Sequence, residues 1–298
     1  QKTAYEIKEC DWSSDVCSSD VTLTLINLDG GATGLTIQTS GDSIRFNGPT
    51  ILASAVTIDT DNSDSNAHGG TITFTNDAPL NSATSENNAL TLDAGTSSIF
   101  FNEDIGATDA LASLTINEAD GGVTFGGADT ETAGSGTTGP VNVINTTGAI
   151  DIGTTTNVIT GTGIALNGGS SAIVITTTNS NVRLNGAVTL ASAVRIDTGS
   201  GAGDILFTND SPIDSQSSEN NALTLNAGTG TVRVNEDIGS TRAIGAFTVE
   251  TAHQIIFGES DTETAGSGTT GPVTLISTTG AINLGSLAVI SDGNATTP

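Results

Sequence analysis

The sequence has few basic residues, few aromatic residues and no long apolar run. Its 298 residues include 7 lysines and arginines against 33 aspartates and glutamates, which gives a formal net charge of −26. Nucleic acids and anionic membrane surfaces repel a protein of that charge, so neither is expected as a partner. No stretch reaches the roughly 18 to 20 apolar residues that a membrane-spanning helix needs. We therefore expect an acidic, soluble chain that does not insert into a membrane.

The rare residue types are concentrated at the start of the chain. Residues 1–20 hold both cysteines, both lysines, the one tryptophan and the one tyrosine. Residues 1–7 (QKTAYEI) and 11–20 (DWSSDVCSSD) resemble the translation of a DNA sequencing-library adapter. We expect residues 1–20 to be such an artefact, to be unstructured and to take no part in the fold; the alternative is a genuine segment closed by a Cys10–Cys17 disulfide. The rest of the chain has no cysteine, which is compatible with an oxidising compartment but does not show one.

The remainder of the chain is an internal repeat. Residues 129–141 (DTETAGSGTTGPV) return unchanged at 261–273, and residues 85–92 (SENNALTL) return at 218–225. These matches divide the chain into repeat 1 (residues 21–158), repeat 2 (residues 159–290) and the start of a third unit at residues 291–298. Self-similarity at a fixed period is typical of repeat units that stack into one elongated body.

Each repeat consists of short stretches in which apolar and polar residues alternate. Examples are Val56-Thr57-Ile58, Leu90-Thr91-Leu92 and Leu114-Thr115-Ile116. A period of two predicts a β-strand with one apolar face, and the Gly, Asn, Asp and Ser clusters between these stretches predict turns. No segment has a sustained helical period, so we expect an all-β protein.

Two architectures accommodate many short strands: a parallel β-helix (β-solenoid) or tandem β-sandwich repeats. A sandwich core about 10 Å thick usually contains large aromatic residues, whereas aromatics are only 3% of this chain. The narrow interior of a β-helix is filled well by Ile, Val, Leu and Ala. We therefore expect a right-handed parallel β-helix, with coils of roughly 20 to 25 residues and about six coils in each repeat.

Phrases such as 185–190 (NGAVTL), 221–228 (NALTLNAG) and 271–275 (GPVTL) resemble the large bacterial surface exoproteins of the filamentous haemagglutinin type. The resemblance covers residues 21–294 and implies a right-handed parallel β-helix in a secreted or cell-surface protein. The Asn-Pro-Asn-type motifs of that family's secretion module do not occur here. The family's role implies a fragment of an adhesin stalk or structural exoprotein, located outside the cell or at the bacterial outer membrane, with a host or neighbouring-cell surface as partner.

Repeated acidic turns are the best candidates for a binding site. Asp129 and Glu131 recur as Asp261 and Glu263, and the spacing of two places both carboxylates of each pair on one side of an extended segment. Oxygen-rich groups of this kind can hold Ca²⁺, which takes six to eight oxygen ligands. The chain has no calcium-binding repeat or EF-hand motif, so solvated turns are favoured over weak calcium sites. No other cofactor is expected.

A polysaccharide lyase or hydrolase built on a β-helix is the enzyme alternative, because paired carboxylates on one face can cleave glycans. Duplication argues against it, since an active site is normally a single constellation. The unduplicated His68 and His253 are expected at the surface, and no nucleophile elbow, phosphate loop or His/Cys metal cluster occurs. We expect a non-enzymatic protein. A calcium-dependent adhesin made of tandem sandwiches is the other alternative.

Overall fold

The strands form three parallel β-sheets, and successive strands of the chain lie in different sheets. The computed structural model describes residues 25–62, 68–127, 139–258, 273–285 and 289–291. Every strand pair in these ranges is parallel. The chain therefore winds as a parallel β-helix, as predicted, and the tandem-sandwich alternative is wrong because sandwich sheets are antiparallel.

The three sheets are named A, B and C in the order in which the chain first enters them. Sheet A contains β1 (Ile26–Leu28), β4 (Thr50–Leu52), β7 (Leu80–Ser82), β12 (Val143–Asn145), β15 (Ile173–Thr176), β18 (Val194–Asp197), β21 (Leu223–Asn226), β23 (Phe247–Thr251) and β25 (Ile282–Leu284), with Ile105 bridging β7 and β12. Sheet B contains β2 (Leu35–Gln38), β5 (Val56–Asp59), β8 (Leu90–Asp93), β10 (Leu114–Glu118), β13 (Ile150–Ile152), β16 (Val182–Leu184), β19 (Ile205–Phe207), β22 (Thr231–Val234), β24 (Gln254–Phe257) and β26 (Val289–Ser291). Sheet C contains β3 (Ile44–Phe46), β6 (Ile72–Phe74), β9 (Ser98–Phe101), β11 (Gly122–Phe125), β14 (Ile159–Leu166), β17 (Gly186–Leu190) and β20 (Ile213–Ser215).

The one helix in the described ranges is a 3-10 turn, Gly31–Thr33, which lies between β1 and β2. None of the described chain forms a helix long and apolar enough to cross a membrane.

Alternation within each strand decides which side chains form the core. In β8, Leu90 and Leu92 are fully buried, whereas Thr91 and Asp93 are only partly buried and lie on the outer face. The same pattern in the other strands produces one continuous core of Ile, Val, Leu, Phe and Ala along the inside of the coil. Each added coil brings its own inner residues, so the molecule lengthens without a thicker core.

The coils differ in length. Val174 pairs with Arg195, 21 residues later, whereas Ile105 pairs with Ile144, 39 residues later. The expectation of 20 to 25 residues per coil and about six coils per repeat was wrong, because the loops between strands vary widely. Sheet B contributes one strand to each coil, and its ten strands span both repeats.

Equivalent residues of the two repeats lie in different sheets. Leu90–Asp93 forms β8 in sheet B, whereas its counterpart Leu223–Asn226 forms β21 in sheet A. Thirteen strands and the bridge at Ile105 give repeat 1 fourteen strand positions, and fourteen is not a multiple of the three sheets. Repeat 2 therefore begins in sheet C at β14 rather than in sheet A, and each of its strands is displaced by one sheet.

Four phenylalanines stack inside repeat 1. The ring centroids of Phe46, Phe74, Phe101 and Phe125 are separated by 4.6, 5.0 and 5.1 Å in turn, and neighbouring rings are parallel within 8°. In-register parallel strands impose this spacing, because identical inner positions of neighbouring coils lie one above the other. The stack fills one side of the repeat 1 core with aromatic rings.

Candidate functional site

The predicted calcium ligands Asp129, Glu131, Asp261 and Glu263 lie outside the described residues, so calcium binding there stays a prediction. Within the part of the chain that the structure describes, no group of three or more His, Cys, Asp and Glu side chains is arranged to hold a metal ion.

A second duplicated acidic turn, Glu103-Asp104 in repeat 1, serves the backbone. One carboxylate oxygen of Asp104 accepts hydrogen bonds from the amides of Asn142 (2.7 Å) and Val143 (2.9 Å) in the next coil. Glu103 accepts a hydrogen bond from the amide of Asp104, and burial raises its pKa. These contacts fasten the turn to the coil above it.

The counterpart in repeat 2, Asp237, makes the same contacts. Its carboxylate accepts hydrogen bonds from the amides of Thr274 (2.6 Å) and Leu275 (2.9 Å). Duplicated sequence therefore corresponds here to duplicated structural contacts. Positions at which the repeats differ are the better candidates for function.

The repeats differ in charge at the C-terminal ends of three sheet B strands of repeat 1, β5, β8 and β10. Asp59, Asp93 and Glu118 occupy successive coils, since Asp59 is in register with Asp93 and Asp93 with Glu118. We call these three residues the acidic ladder. The acidic ladder is not evident in the sequence, because its members are far apart along the chain. The signal was available in the aligned strand endings of 56–59 (VTID) and 90–93 (LTLD).

Amide side chains cover both ends of the acidic ladder. The Gln38 amide nitrogen donates a hydrogen bond to Asp59 (3.1 Å), and the Asn157 amide nitrogen donates one to Glu118 (3.2 Å). At the centre, Asp93 accepts a hydrogen bond from the amide of Gly95 (3.1 Å).

The central carboxyl of the ladder holds its proton unusually well. Burial raises the pKa of Asp93 to about 6, and the charges of Asp61, Glu118 and Asp59 add to the rise. Burial, together with the charges of Asp120 and Asp61, also raises the pKa of Glu118. For Asp59, burial favours a higher pKa, but hydrogen bonds from Asp61, Gln38 and the backbone outweigh it and lower the pKa. Asp93 therefore takes up a proton at a higher pH than an ordinary aspartate does.

The equivalent positions in repeat 2 are nearly neutral. Asp197, Asn226 and Thr251 stack in sheet A in the same way, and the Asn226 amide nitrogen donates a hydrogen bond to Asp197 (3.0 Å). Arg195 reaches both Asp197 (2.9 Å) and Glu250 (2.6 Å). Burial opposes ionisation of Asp197, but hydrogen bonds from Gly199, Arg195 and Asn226 outweigh it and lower the pKa.

A groove on the outer face of sheet B is the second difference. Arg183, Leu206 and Arg233 stand in register on β16, β19 and β22. They line a cavity of about 240 Å³ with Asp151, and Asn181, Asp204 and Thr231 complete its rim. We call this cavity the arginine groove.

Arg183 is held in place within the groove. Its Nε atom lies 3.3 Å from Asp151, and its side chain is only 15% exposed. Residues 182–186 (VRLNG) align with residues 44–48 (IRFNG), which makes Arg183 the repeat 2 equivalent of Arg45. The sequence gives no indication of Arg233 as a neighbour, because fifty residues separate the two arginines.

His68 and His253 are exposed, as the sequence predicts. Neither lies in the acidic ladder or the arginine groove.

Comparison of the chain with protein-family models, with curated proteins and with solved structures finds no match. The resemblance to exoproteins of the filamentous haemagglutinin type therefore rests on the sequence phrases alone.

Proposed function

We propose that the chain is a rod-forming segment of a secreted or cell-surface β-helical protein of the filamentous haemagglutinin type. In this proposal it acts as an adhesin stalk or structural exoprotein rather than as an enzyme. Its partner is a host or neighbouring-cell surface, contacted through a glycan or a protein.

One observation carries the proposal: sheet B continues without a break across the boundary between the repeats. β13 of repeat 1 pairs with β16 of repeat 2 in the same parallel register as every other step. Nine steps of about 4.8 Å give this sheet a length of about 43 Å. A repeat that joins its neighbour by the same hydrogen bonds it uses internally suits a stalk, because length can be added without a flexible joint.

The surface charge fits the same role. A net charge of −26 discourages side-by-side association of rods, and many outer-face positions carry polar residues, such as Thr91, Asn81 and Asp151. The duplicated carboxylates Asp104 and Asp237 are engaged by backbone amides of the next coil. That engagement favours a structural role over glycan cleavage for them.

Adhesion and catalysis can be separated with one preparation of the full chain. Beads coated with the folded chain should be retained on cell monolayers, and beads coated with heat-unfolded chain should not. The same preparation, incubated with acidic and neutral polysaccharides, should release no reducing ends and no unsaturated products. Release of such products, with no retention of beads, would contradict the adhesin proposal and favour a polysaccharide lyase or hydrolase.

A further inference from the structure

We propose that the arginine groove binds a sugar that carries a carboxylate, such as a uronic acid unit of an acidic glycan. The groove is built from Arg183, Leu206 and Arg233 on three successive strands of sheet B, with Asp151 beside Arg183.

Charge is the first argument. Residues 21–298 contain five arginines and no lysine, and two of the five line this one cavity. Asp151 and Asp204 line the same cavity and balance the two arginines, so the groove is neutral on a chain of net charge −26 and repels an anionic ligand less than the rest of the surface does. A guanidinium group pairs with a carboxylate through two parallel hydrogen bonds, which a lysine does not provide.

The rest of the lining argues for a sugar rather than for a simple anion. Leu206 lies between the two arginines and is only partly buried, so it offers an apolar surface to one face of a pyranose ring. Asn181, Asp204 and Thr231 offer donors and acceptors for hydroxyl groups at the rim. A lining with one apolar contact, several polar groups and a charged anchor suits a small polar ligand. An acidic peptide has no ring hydroxyls to satisfy these rim groups.

Comparison between the repeats supports a function for this groove. Arg233 stands where repeat 1 has Phe100, and Leu206 stands where repeat 1 has Thr73. In repeat 1 the corresponding surface lies on sheet C and carries Arg45, Thr73 and Phe100 in register. The fold is the same in both places, so the fold itself does not require a second arginine.

The strands make the groove rigid. Each lining residue alternates with fully buried neighbours, such as Val232 and Val234 on either side of Arg233. Binding groups mounted on a packed sheet lose little freedom when a ligand arrives. Arg183 and Arg233 are two coil steps apart, about 10 Å, so one monosaccharide contacts one arginine, and a chain of sugars along the rod axis contacts both.

The biological purpose of this groove rests on the proposed adhesive function. The binding test does not depend on that function, because binding of a purified oligosaccharide to the purified chain is independent of adhesion to cells. Failure of the bead assay and failure of the groove would therefore be separate results.

The experiment is a titration of the full chain with a uronic acid trisaccharide. Binding is monitored by the nuclear magnetic resonance signals of the Leu206 methyl groups, and the affinity is measured by calorimetry. Arg233→Phe installs the residue that repeat 1 tolerates at this position. It should weaken binding at least about tenfold, because it removes a charge-assisted contact. Leu206→Thr, also a residue taken from repeat 1, should weaken binding by a smaller factor. Arg242→Gln removes an exposed arginine outside the groove and should leave the affinity unchanged.

Further measurements keep the test independent of folding. Thermal melting shows whether Arg233→Phe remains folded, and Arg233→Lys, which keeps the charge but loses the planar fork, should show an intermediate loss. The trisaccharide methyl ester should bind much more weakly than the free acid. Equal binding by the ester, an unchanged affinity in a folded Arg233→Phe variant, or equally strong binding of a glutamate-rich peptide would each overturn the proposal.

Discussion

The same ladder of positions is acidic in repeat 1 and nearly neutral in repeat 2. Asp93, with a pKa raised to about 6, has Asn226 as its counterpart, and Thr57 has Arg195, which binds Asp197 and Glu250. The strands that carry these residues pair in the same way in both repeats. Outer-face residues of this β-helix can therefore change charge without changing the backbone.

The inner faces of the two repeats differ as well. The positions of the stacked Phe46, Phe74, Phe101 and Phe125 are occupied in repeat 2 by Leu184, Phe207, Val234 and Phe257. All of these residues are buried except Phe257, which is partly buried and packs against the core. The core of a coil requires apolar volume at these positions, and it accepts either a continuous aromatic stack or a mixed one.

The largest expected effect tests the aromatic stack. Phe101→Ala should lower the free energy of unfolding by about 3 to 5 kcal/mol, because it removes a fully buried ring.

Phe207→Ala is the matched control, since Phe207 is equally buried but lies between Leu184 and Val234. Phe101→Ala should cost about 0.5 to 1.5 kcal/mol more than the control, because Phe101 has stacked partners on both sides. Urea unfolding followed by circular dichroism measures both, and equal losses would mean that stacking adds nothing beyond burial.

A smaller effect is expected when the charge pattern of repeat 1 is introduced into repeat 2. Arg195→Thr leaves Asp197 and Glu250 without their cation and should destabilise the chain by about 1 to 2 kcal/mol at pH 7. The folded pKa of Asp197 is lowered, so its stabilising contribution is present above the unfolded pKa and is lost as pH falls through the folded pKa. The cost of the substitution should therefore shrink as pH falls below the ordinary value of 3.8 and disappear only below the folded pKa, as measured by thermal melts across the acid range. A cost that is the same at every pH would point to lost packing instead.

The smallest effect is expected in the acidic ladder itself. The folded pKa of Asp93 is raised from 3.8 to about 6, so the folded state binds an extra proton in that window and stability falls as pH rises through it. Asp93→Asn, which copies Asn226, should raise stability at pH 7 by about 1 kcal/mol after allowance for solvent screening. The gain should vanish below about pH 4, where both states of the native chain are protonated.

Asn226→Asp is the reciprocal control for this third prediction. It replaces the amide that donates a hydrogen bond to Asp197 (3.0 Å) with a second carboxylate, so it should destabilise repeat 2 at pH 7, and Arg195 should offset only part of that cost. Thermal melting across the pH range measures both variants. A gain for Asp93→Asn that persists in acid would contradict the assignment of the effect to proton uptake.

The sequence contains enough information for the strands but not for their arrangement. Alternation in Leu90-Thr91-Leu92 predicts β8 and its buried face, because only burial of one face explains that pattern. The displacement of repeat 2 by one sheet depends on the number of strand positions in a repeat. One of these positions is the single bridge at Ile105, which has no strand pattern in the sequence.

The candidate sites, like the strand arrangement, depend on contacts that sequence spacing does not reveal. Spacing suggests only local pairs of carboxylates, such as Asp129 and Glu131. The acidic ladder instead joins residues of different coils, Asp59, Asp93 and Glu118. Arg183 and Arg233 meet in one groove only because two coils of different length return to the same sheet. Contacts of this kind depend on loop lengths, which alternation does not encode.

Cysteine crosslinking across the repeat boundary shows whether repeat 2 is displaced by one sheet. The background is the full chain with Cys10 and Cys17 replaced by serine. Val143 and Val174 are in-register neighbours in sheet A, so Val143→Cys with Val174→Cys should form a disulfide under mild oxidation. Val174 has Thr36 of sheet B as its sequence counterpart, and an undisplaced repeat would place it beside Asp151 in sheet B instead. We expect crosslinking of Val143→Cys with Val174→Cys and none of Asp151→Cys with Val174→Cys; the reverse result would mean that repeat 2 is not displaced.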